Sequence, residues 1–433
     1  MSNSFLVFAL QPVLSESPGK QVLISNDTVV FGVLVGILAL VFYLSSHPHP
    51  ALKRFFTFVP ALLLCYFLPG MLNSFGVIDG ENSGLYTMAK NYLLPASLVL
   101  FTLSIDFKSL MRLGPKAIIV FLAGTLGIVI GGPIALFITQ AMFPEAFVGS
   151  GENEVWRGLS TIAGSWIGGG ANQTAMKEVF QPSGPLFSIM IAVDVMVANV
   201  WMAVLLFGAG RSPKIDKLLR ADASLIDDVR QRMATFREQS LRIPNTKDLM
   251  IISGVAFGAV AVSHIFADFA APYLAQNYPQ LEKFSLTSAF FWIVLIATTA
   301  GLLLSFTPAR KLEGVGASNV GSVLLYILVA TIGMQMDITA IFNNPHFFIT
   351  GLIWISIHAF VILLVARLVK APFFFAAVGS QANVGGAASA PIVAAAFDPA
   401  LASVGVLLAV LGYALGTYAA YICGILMQWV SLL

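Results

Sequence analysis

Charge is what this sequence has least of: only 10% of its 433 residues are charged, against 58% that are hydrophobic. A soluble domain of this length needs far more polar surface, and a mean hydropathy of +0.87 belongs to a chain that lives in a bilayer. The formal net charge of +2 provides no basic surface for nucleic acid, so the few Lys and Arg serve as orientation signals. Cysteine is equally scarce. Cys65 and Cys423 both lie within apolar runs, which excludes a disulfide framework, a transition-metal site and a redox pair. No glycine run is followed by Lys-Ser or Lys-Thr, so a phosphate loop, and a primary pump with it, is excluded. No nucleophile has a base at working spacing and no His, Glu or Asp set has ligand spacing, so an enzyme is not expected and no cofactor is called for. The short apolar run at the N-terminus has neither basic residues before it nor a small-residue cleavage site, and a cleaved signal peptide is not expected.

Apolar length is what the chain has in abundance. Spans are predicted at 29–46, 55–75, 91–107, 116–143 and 185–208, and again at 249–274, 284–306, 320–336, 347–368 and 401–429. Segments near 20 apolar residues with short connections predict an all-α polytopic membrane protein rather than a barrel. The ten spans form two groups of five around a polar, basic stretch at 211–247. After the fourth span of each group comes a glycine-rich segment, "GSWIGGGANQTA" at 164–175 and "GSQANVGGAASA" at 379–390. The third spans also correspond, "LFTLSIDFKSL" ending on Asp106 and "ATIGMQMDITAI" on Asp337, each acid two residues after Ser104 or Gln335. A repeat of five helices is therefore predicted. It divides the chain into an extracytoplasmic segment 1–28, a first repeat 29–208 with polar segment 157–181, a cytoplasmic basic linker 209–247, and a second repeat 248–433 with polar segment 372–397.

Loop charge decides how the polar segments run. Lys53 and Arg54, then Lys108, Arg112 and Lys116, mark basic loops, whereas Asp79, Glu81, Glu145, Glu152 and Glu154 mark acidic or mixed ones. A first polar segment that spanned fully would force the linker, with Arg211, Lys214, Lys217, Arg220, Arg230 and Arg232, to the outside. A re-entrant hairpin keeps that linker cytoplasmic together with Arg310, Lys311, Arg367 and Lys370. Five spans before the linker then invert the second repeat relative to the first, so one hairpin enters from each face and their tips can meet mid-membrane. An unwound crossing helix is the alternative form for each segment.

Irregular backbone at membrane depth survives only where protein, water or ligand satisfies it. Gly168, Gly169 and Gly170, and Gly385 and Gly386, allow a tight turn and close approach of a ligand to bare backbone. Ser165, Asn172, Gln173 and Thr174 in the first segment and Ser380, Gln381, Asn383 and Ser389 in the second supply neutral oxygens and amides suited to a hard cation or small polar solute. Asp194, about 13 Å into its span, is a functional candidate by default, expected to meet a cation, a proton or hairpin backbone. Asn199, Ser104 and Gln335 are further coupling candidates, while Asp106 and Asp337 divide evenly between function and capping. His264 and His358 are expected to be packing histidines.

The motifs "STIAGSWIGGGANQTA", "GSQANVGGAASAP" and "LSIDFKSLMRLGPKA" resemble a bacterial membrane-protein family, the domain of unknown function 819 family, over nearly the whole chain. More distantly, inverted halves with glycine-rich segments look like glutamate:sodium symporters, 2-hydroxycarboxylate transporters and bile-acid:sodium symporters. Those resemblances imply a scaffold part, a mobile part carrying both polar segments, Na⁺ or H⁺ coupling, elevator-like movement, a homodimer and a bacterial inner-membrane location. The resulting expectation is a secondary active transporter, a Na⁺-coupled symporter of an amino acid, short peptide or carboxylate. A cation/proton antiporter using Asp194, and a channel for ions or solute, are the alternatives.

Overall fold

The computed structural model describes residues 22–59, 61–80, 82–106, 110–111, 113–221, 243–335, 344–398 and 401–433. The first part of the chain forms α1 (Asp27–Ser46), α2 (Pro50–Phe58), α3 (Ala61–Ser74), α4 (Leu85–Met88), α5 (Leu94–Leu103), α6 (Pro115–Met142), α7 (Val155–Phe180), α8 (Gly184–Ala209) and α9 (Ser212–Leu219). The second forms α10 (Thr246–Asn277), α11 (Ala289–Leu304), α12 (Ala317–Gly333), α13 (His346–Leu368), α14 (Phe373–Val384), α15 (Gly386–Phe397) and α16 (Ala402–Ser431). Among the described residues β pairing is limited to one bridge, Ile24 to Ile78. Local signals set the helix starts. Asn26 accepts from the Thr28 and Val29 amides ahead of α1, Asn245 and Asp248 form a capping box on α10, and Ser183 caps α8.

Among the described residues, six helices, α1, α6, α8, α10, α13 and α16, are long and apolar enough to cross a bilayer. The number reaches eight if two bent pairs each make one crossing: α2 with α3 at 83°, and α11 with the 3₁₀ helix Pro308–Val315 at 95°. The chain is thus an all-helical membrane protein, with fewer uninterrupted spans than the apolar runs predict. The reason is that several runs are broken or cut short. The stretch leading into α5 is divided among α4, a π turn at Ala89–Leu93 and α5 itself. At the end of α12, Gly333 packs so closely on the Tyr66 backbone that a Cβ there would lie 2.3 Å from the Tyr66 carbonyl oxygen.

The helices pack in two groups. One contains α1, α3, α5, α10, α11 and α12; the other contains α6 to α9 and α13 to α16. Each half of the chain gives its first three long apolar segments to the first group and its remainder to the second. Within the second group, Gly124, Gly127 and Gly131 on α6 lie against His358 and Trp354 of α13, and Trp354 Nε1 donates to the Ile128 carbonyl at 2.8 Å. Small residues at this spacing let backbones approach where water-driven collapse is absent.

Both glycine-rich segments are helical hairpins. In α7, Gly168 (φ −137°, ψ 15°) and Gly169 (φ 71°) break the helix into limbs 155–167 and 170–180. Arg157 Nη1 donates to the Phe180 carbonyl at 2.7 Å, and the Trp156 and Phe180 rings lie 5.4 Å apart. Along an unbroken helix Arg157 and Phe180 would be separated by about 35 Å. In the second segment, Gly385 (φ −114°) and Gly386 (φ 61°) separate α14 from α15. There Gln381 Nε2 donates to Ser389 Oγ at 2.7 Å, and Phe374 meets Phe397 at 5.3 Å. The left-handed φ at Gly169 and Gly386 is what glycine supplies at each turn.

Helix α8 connects the two hairpin bases. It begins just past Phe180, where the Ser183 amide donates to the Glu152 carbonyl at 2.8 Å, and near its end a Cβ on Gly208 would lie 2.7 Å from the Phe373 ring. Its 26 residues rise about 39 Å, so the bases stand at opposite ends of the molecule.

Candidate functional site

The hairpin tips converge on the middle of α16, whose glycines make room for them. A Cβ on Gly412 would lie 2.6 Å from the Ile167 carbonyl oxygen in the first hairpin and 3.7 Å from that of Ala382 in the second. One turn along, a Cβ on Gly416 would lie 2.6 Å from the Gly168 Cα. Tyr413 stands between the breaks: its ring lies against Gly169, its hydroxyl faces the Ala387 backbone at the start of α15, and Phe101 of α5 stacks on it at 4.6 Å.

Each hairpin is pinned by an asparagine in the same way. Asn172 Nδ2 donates to the Gly168 carbonyl (3.0 Å) and to the Tyr413 carbonyl (3.2 Å), while Thr417 Oγ1 donates to Asn172 Oδ1 at 2.6 Å. Asn383 Nδ2 donates to the Gly379 and Phe121 carbonyls, both at 3.1 Å, while Thr125 Oγ1 donates to Asn383 Oδ1 at 2.8 Å. In both cases a neighbouring helix supplies a carbonyl and, four residues later, a threonine. Expected as cation or solute ligands, both asparagines are instead occupied in holding the hairpins to α16 and α6.

Asp194 on α8 is buried at 5% exposure and receives only neutral donors. Trp166 Nε1 donates to Oδ1 at 2.7 Å, Gln173 Nε2 donates to Oδ2 at 3.0 Å, and the Ser165 hydroxyl faces the same carboxyl. Ser165 and Trp166 precede the break and Gln173 follows it, so one carboxylate ties both limbs of the first hairpin. Nearby, the buried Tyr66 hydroxyl of α3 faces Thr174 and lies within electrostatic reach of Asp194, yet no hydrogen bond of normal geometry satisfies it. Thr174 Oγ1 donates to the Gly170 carbonyl at 3.0 Å.

The second hairpin has no acid. Ser380 lies between Trp201 Nε1 and His358 Nε2, each at 2.7 Å, and His358 Nδ1 is 2.8 Å from the Gly124 carbonyl. A carbonyl only accepts, so Nδ1 carries the proton and Ser380 donates to Nε2. Gln381 Oε1 is buried without a partner beside Ser389 and Gly385.

Three other expected positions lie apart from this centre. Asn199 Nδ2 donates to the Val195 carbonyl of its own helix at 2.7 Å, because five residues' separation turns it off the face of Asp194. Ser104 closes the far end of α5, donating to the Leu100 carbonyl at 2.7 Å and meeting Glu313 Oε2 at 2.6 Å. Gln335 stands at the opposite end, its Nε2 3.5 Å from the Gly80 carbonyl. Asp106 forms an ion pair with Arg310, and Asp337 lies outside the described residues. His264 Nε2 is 3.0 Å from the Asn91 carbonyl. Sequence reading missed Tyr66, Trp166, Tyr413 and Thr417, whose residue types are common in any apolar helix. It also missed Lys177 and Glu178, although two adjacent charges in an otherwise uncharged limb were a readable signal.

The chain is 24% identical over 371 residues to "Uncharacterized membrane protein YjcL" of Bacillus subtilis (strain 168), an alignment covering 82% of this chain and 86% of that relative. The family model described as "Protein of unknown function (DUF819)" matches residues 32–430. With nearly every described helix inside the matched region, this membrane protein belongs to the DUF819 family.

Proposed function

We propose that the chain is a secondary active transporter, a Na⁺-coupled symporter of a small polar or anionic solute in the bacterial inner membrane. The observation that carries the reading is the meeting of two glycine-broken hairpins, based at opposite ends of the molecule, beside a buried carboxylate that no cationic side chain among the described residues neutralises. Counted with the shorter helices α3, α5, α11 and α12, the chain makes ten crossings in two inverted repeats of five, each with one re-entrant hairpin. The first helix group then acts as a fixed scaffold, and the second carries both tips as the moving part. Transport proceeds by an elevator-like exchange of access to the two faces.

Na⁺ binds beside Asp194, with the hydroxyls of Tyr66 and Thr174 as further oxygen ligands, and neutralises the site before the mobile group crosses. Solute is held against the tips by the bare backbone at Gly168 to Gly170, Gly385 and Gly386, with Gln381 and Ser389 at its polar end. The protein works as a homodimer, with no enzymatic activity and no resident cofactor. A second reading draws on the neutral donors around Asp194. A carboxyl held by Trp166, Gln173 and Ser165 suits a transferable proton as well as Na⁺, which would make the chain a cation/proton antiporter.

The test is thermal unfolding of the detergent-purified protein in NaCl against equimolar KCl and choline chloride. A ligand at a hundredfold excess over its dissociation constant stabilises the folded state by about 2.7 kcal/mol. A Na⁺-specific rise in Tm that disappears in Asp194→Asn supports the symporter. Equal Tm values in all three salts, with pH-driven solute flux in liposomes, would replace Na⁺ by H⁺ as the coupling ion. Flux that neither saturates nor concentrates solute would instead identify a channel.

A further inference from the structure

A second polar centre lies at the base of the first hairpin, well away from the tips. Lys90, in the π turn before α5, reaches Glu178 Oε2 at 2.5 Å, and Lys177 Nζ reaches Oε1 of the same carboxylate at 3.1 Å. Tyr86 bonds to both Lys177 and Glu178. The Lys177 ammonium also lies 4.2 Å from the Tyr86 ring centre, and that of Lys90 lies 4.9 Å from the Phe290 ring. Glu178 and Lys177 are largely buried, their side chains 5% and 13% exposed. Two ammonium groups thus share one carboxylate away from bulk water.

That arrangement sets two ammonium groups against a single buried carboxylate, where charge is costly to leave unpaired. It also borders a cavity of ≈ 300 Å³ lined by Lys90, Lys177, Glu178, Ser183 and Gln335, with Glu152 on its exposed lip. The N-terminus of the 26-residue α8 opens onto the same wall at Ser183 and Gly184, adding its positive end. The volume is enough to admit a molecule of amino-acid size. Both helix groups line it: Lys90 and Gln335 belong to the scaffold group, Lys177, Glu178 and Ser183 to the hairpin group.

We propose that this cavity binds a solute of amino-acid size through its carboxylate, which Lys177 and Lys90 receive, with Glu152 available to an ammonium at the other end. The site is separate from the hairpin tips and from the cation centre at Asp194, and it deepens the transport reading by naming the class of solute. Because it spans both helix groups, an occupant bridges the parts that the proposed mechanism moves apart.

The experiment is thermal unfolding of the full-length protein in detergent and NaCl, with L-alanine, L-aspartate and succinate as probes and L-alaninamide as the control lacking a carboxylate. The expected result is a Tm increase with at least one of the three carboxylates and none with L-alaninamide. Lys177→Met should lose the increase, and Lys177→Arg should retain it. If Lys177→Met does not yield folded protein, Lys90→Gln, at a more exposed position, is read in its place with the same expected loss. No increase with any of the three carboxylates, or an increase that persists when the lysine is neutralised, overturns the proposal. The Na⁺ shift is read separately in the same variants. Its absence alongside an intact carboxylate shift would sink the coupling and leave this site standing, and the converse would sink the site alone.

Discussion

The two hairpins use one backbone device and opposite means of holding it. Each turns at a glycine pair whose second member has a left-handed φ, and each is pinned by an asparagine to a helix from the other half of the chain. The limbs of the second hairpin are tied to each other, Gln381 to Ser389, by a neutral hydrogen bond. The limbs of the first are tied through a third party, the Asp194 carboxylate on α8. A charge placed between the limbs makes the shape of the first hairpin sensitive to whatever neutralises that charge. The second has no such handle, so ion coupling is expected to act through the first hairpin and solute shape through both.

The largest effect should come from the first turn itself. A Cβ at Gly168 would lie 2.2 Å from Asn172 Nδ2 and 2.7 Å from the Gly416 Cα, neither of which can yield without unpinning the hairpin. Gly168→Val is expected to cost about 3 kcal/mol, measured as a fall in Tm or loss of folded protein on size-exclusion chromatography. A stable Gly168→Val protein would mean the turn is looser than its contacts require.

Next comes Asp194→Asn, which keeps one acceptor but removes the charge that both limbs share. A destabilisation of about 2 kcal/mol is expected, together with loss of the Na⁺ dependence of Tm. Retention of that dependence would move the coupling ion away from the first hairpin and erase the contrast drawn above.

Gly386→Ala should be milder. A Cβ at this residue meets nothing within 4 Å, so only the φ of 61° resists it, at about 1–2 kcal/mol. A cost matching that of Gly168→Val would show the two turns to be equally crowded. The smallest effect is expected for Gln381→Leu, which removes the tie between the second hairpin's limbs at about 1 kcal/mol and leaves the Na⁺ shift in place. A Na⁺ shift that vanished in this variant would extend ion sensitivity to the second hairpin.

Part of this site could be read in advance because its rules are local. The triple glycine at 168–170 and the pair at 385–386 announce turns wherever they occur, and Asp194 in an apolar span announces a purpose at any depth. The loop charges were enough to favour a hairpin over a crossing, and the Arg157 to Phe180 contact agrees with that reading. The asparagines' bonds to α16 and α6 could not be read in advance, because an amide in a polar segment looks the same whether it awaits a ligand or already bonds a neighbouring helix. Asn199 and Ser104 misled for a related reason: helical rotation and helix ends, which a one-dimensional pattern blurs, carried them away from the centre.

Composition and apolar run length already determine that this chain is a helical membrane protein, because transfer of each residue between water and lipid depends little on its neighbours. They determine the positions of the breaks as well, since glycine's freedom at positive φ is a property of the residue. Which helices those breaks would face was decided only on folding. The pairing of Asp194 with Trp166 and Gln173, of Tyr413 with the first turn, and of Lys90 with Glu178 joins residues far apart in the chain, Gly169 and Tyr413 by more than 200 positions. Hydrogen bonds and ion pairs of that kind depend on distances of a few ångströms in three dimensions, and sequence order carries no record of them.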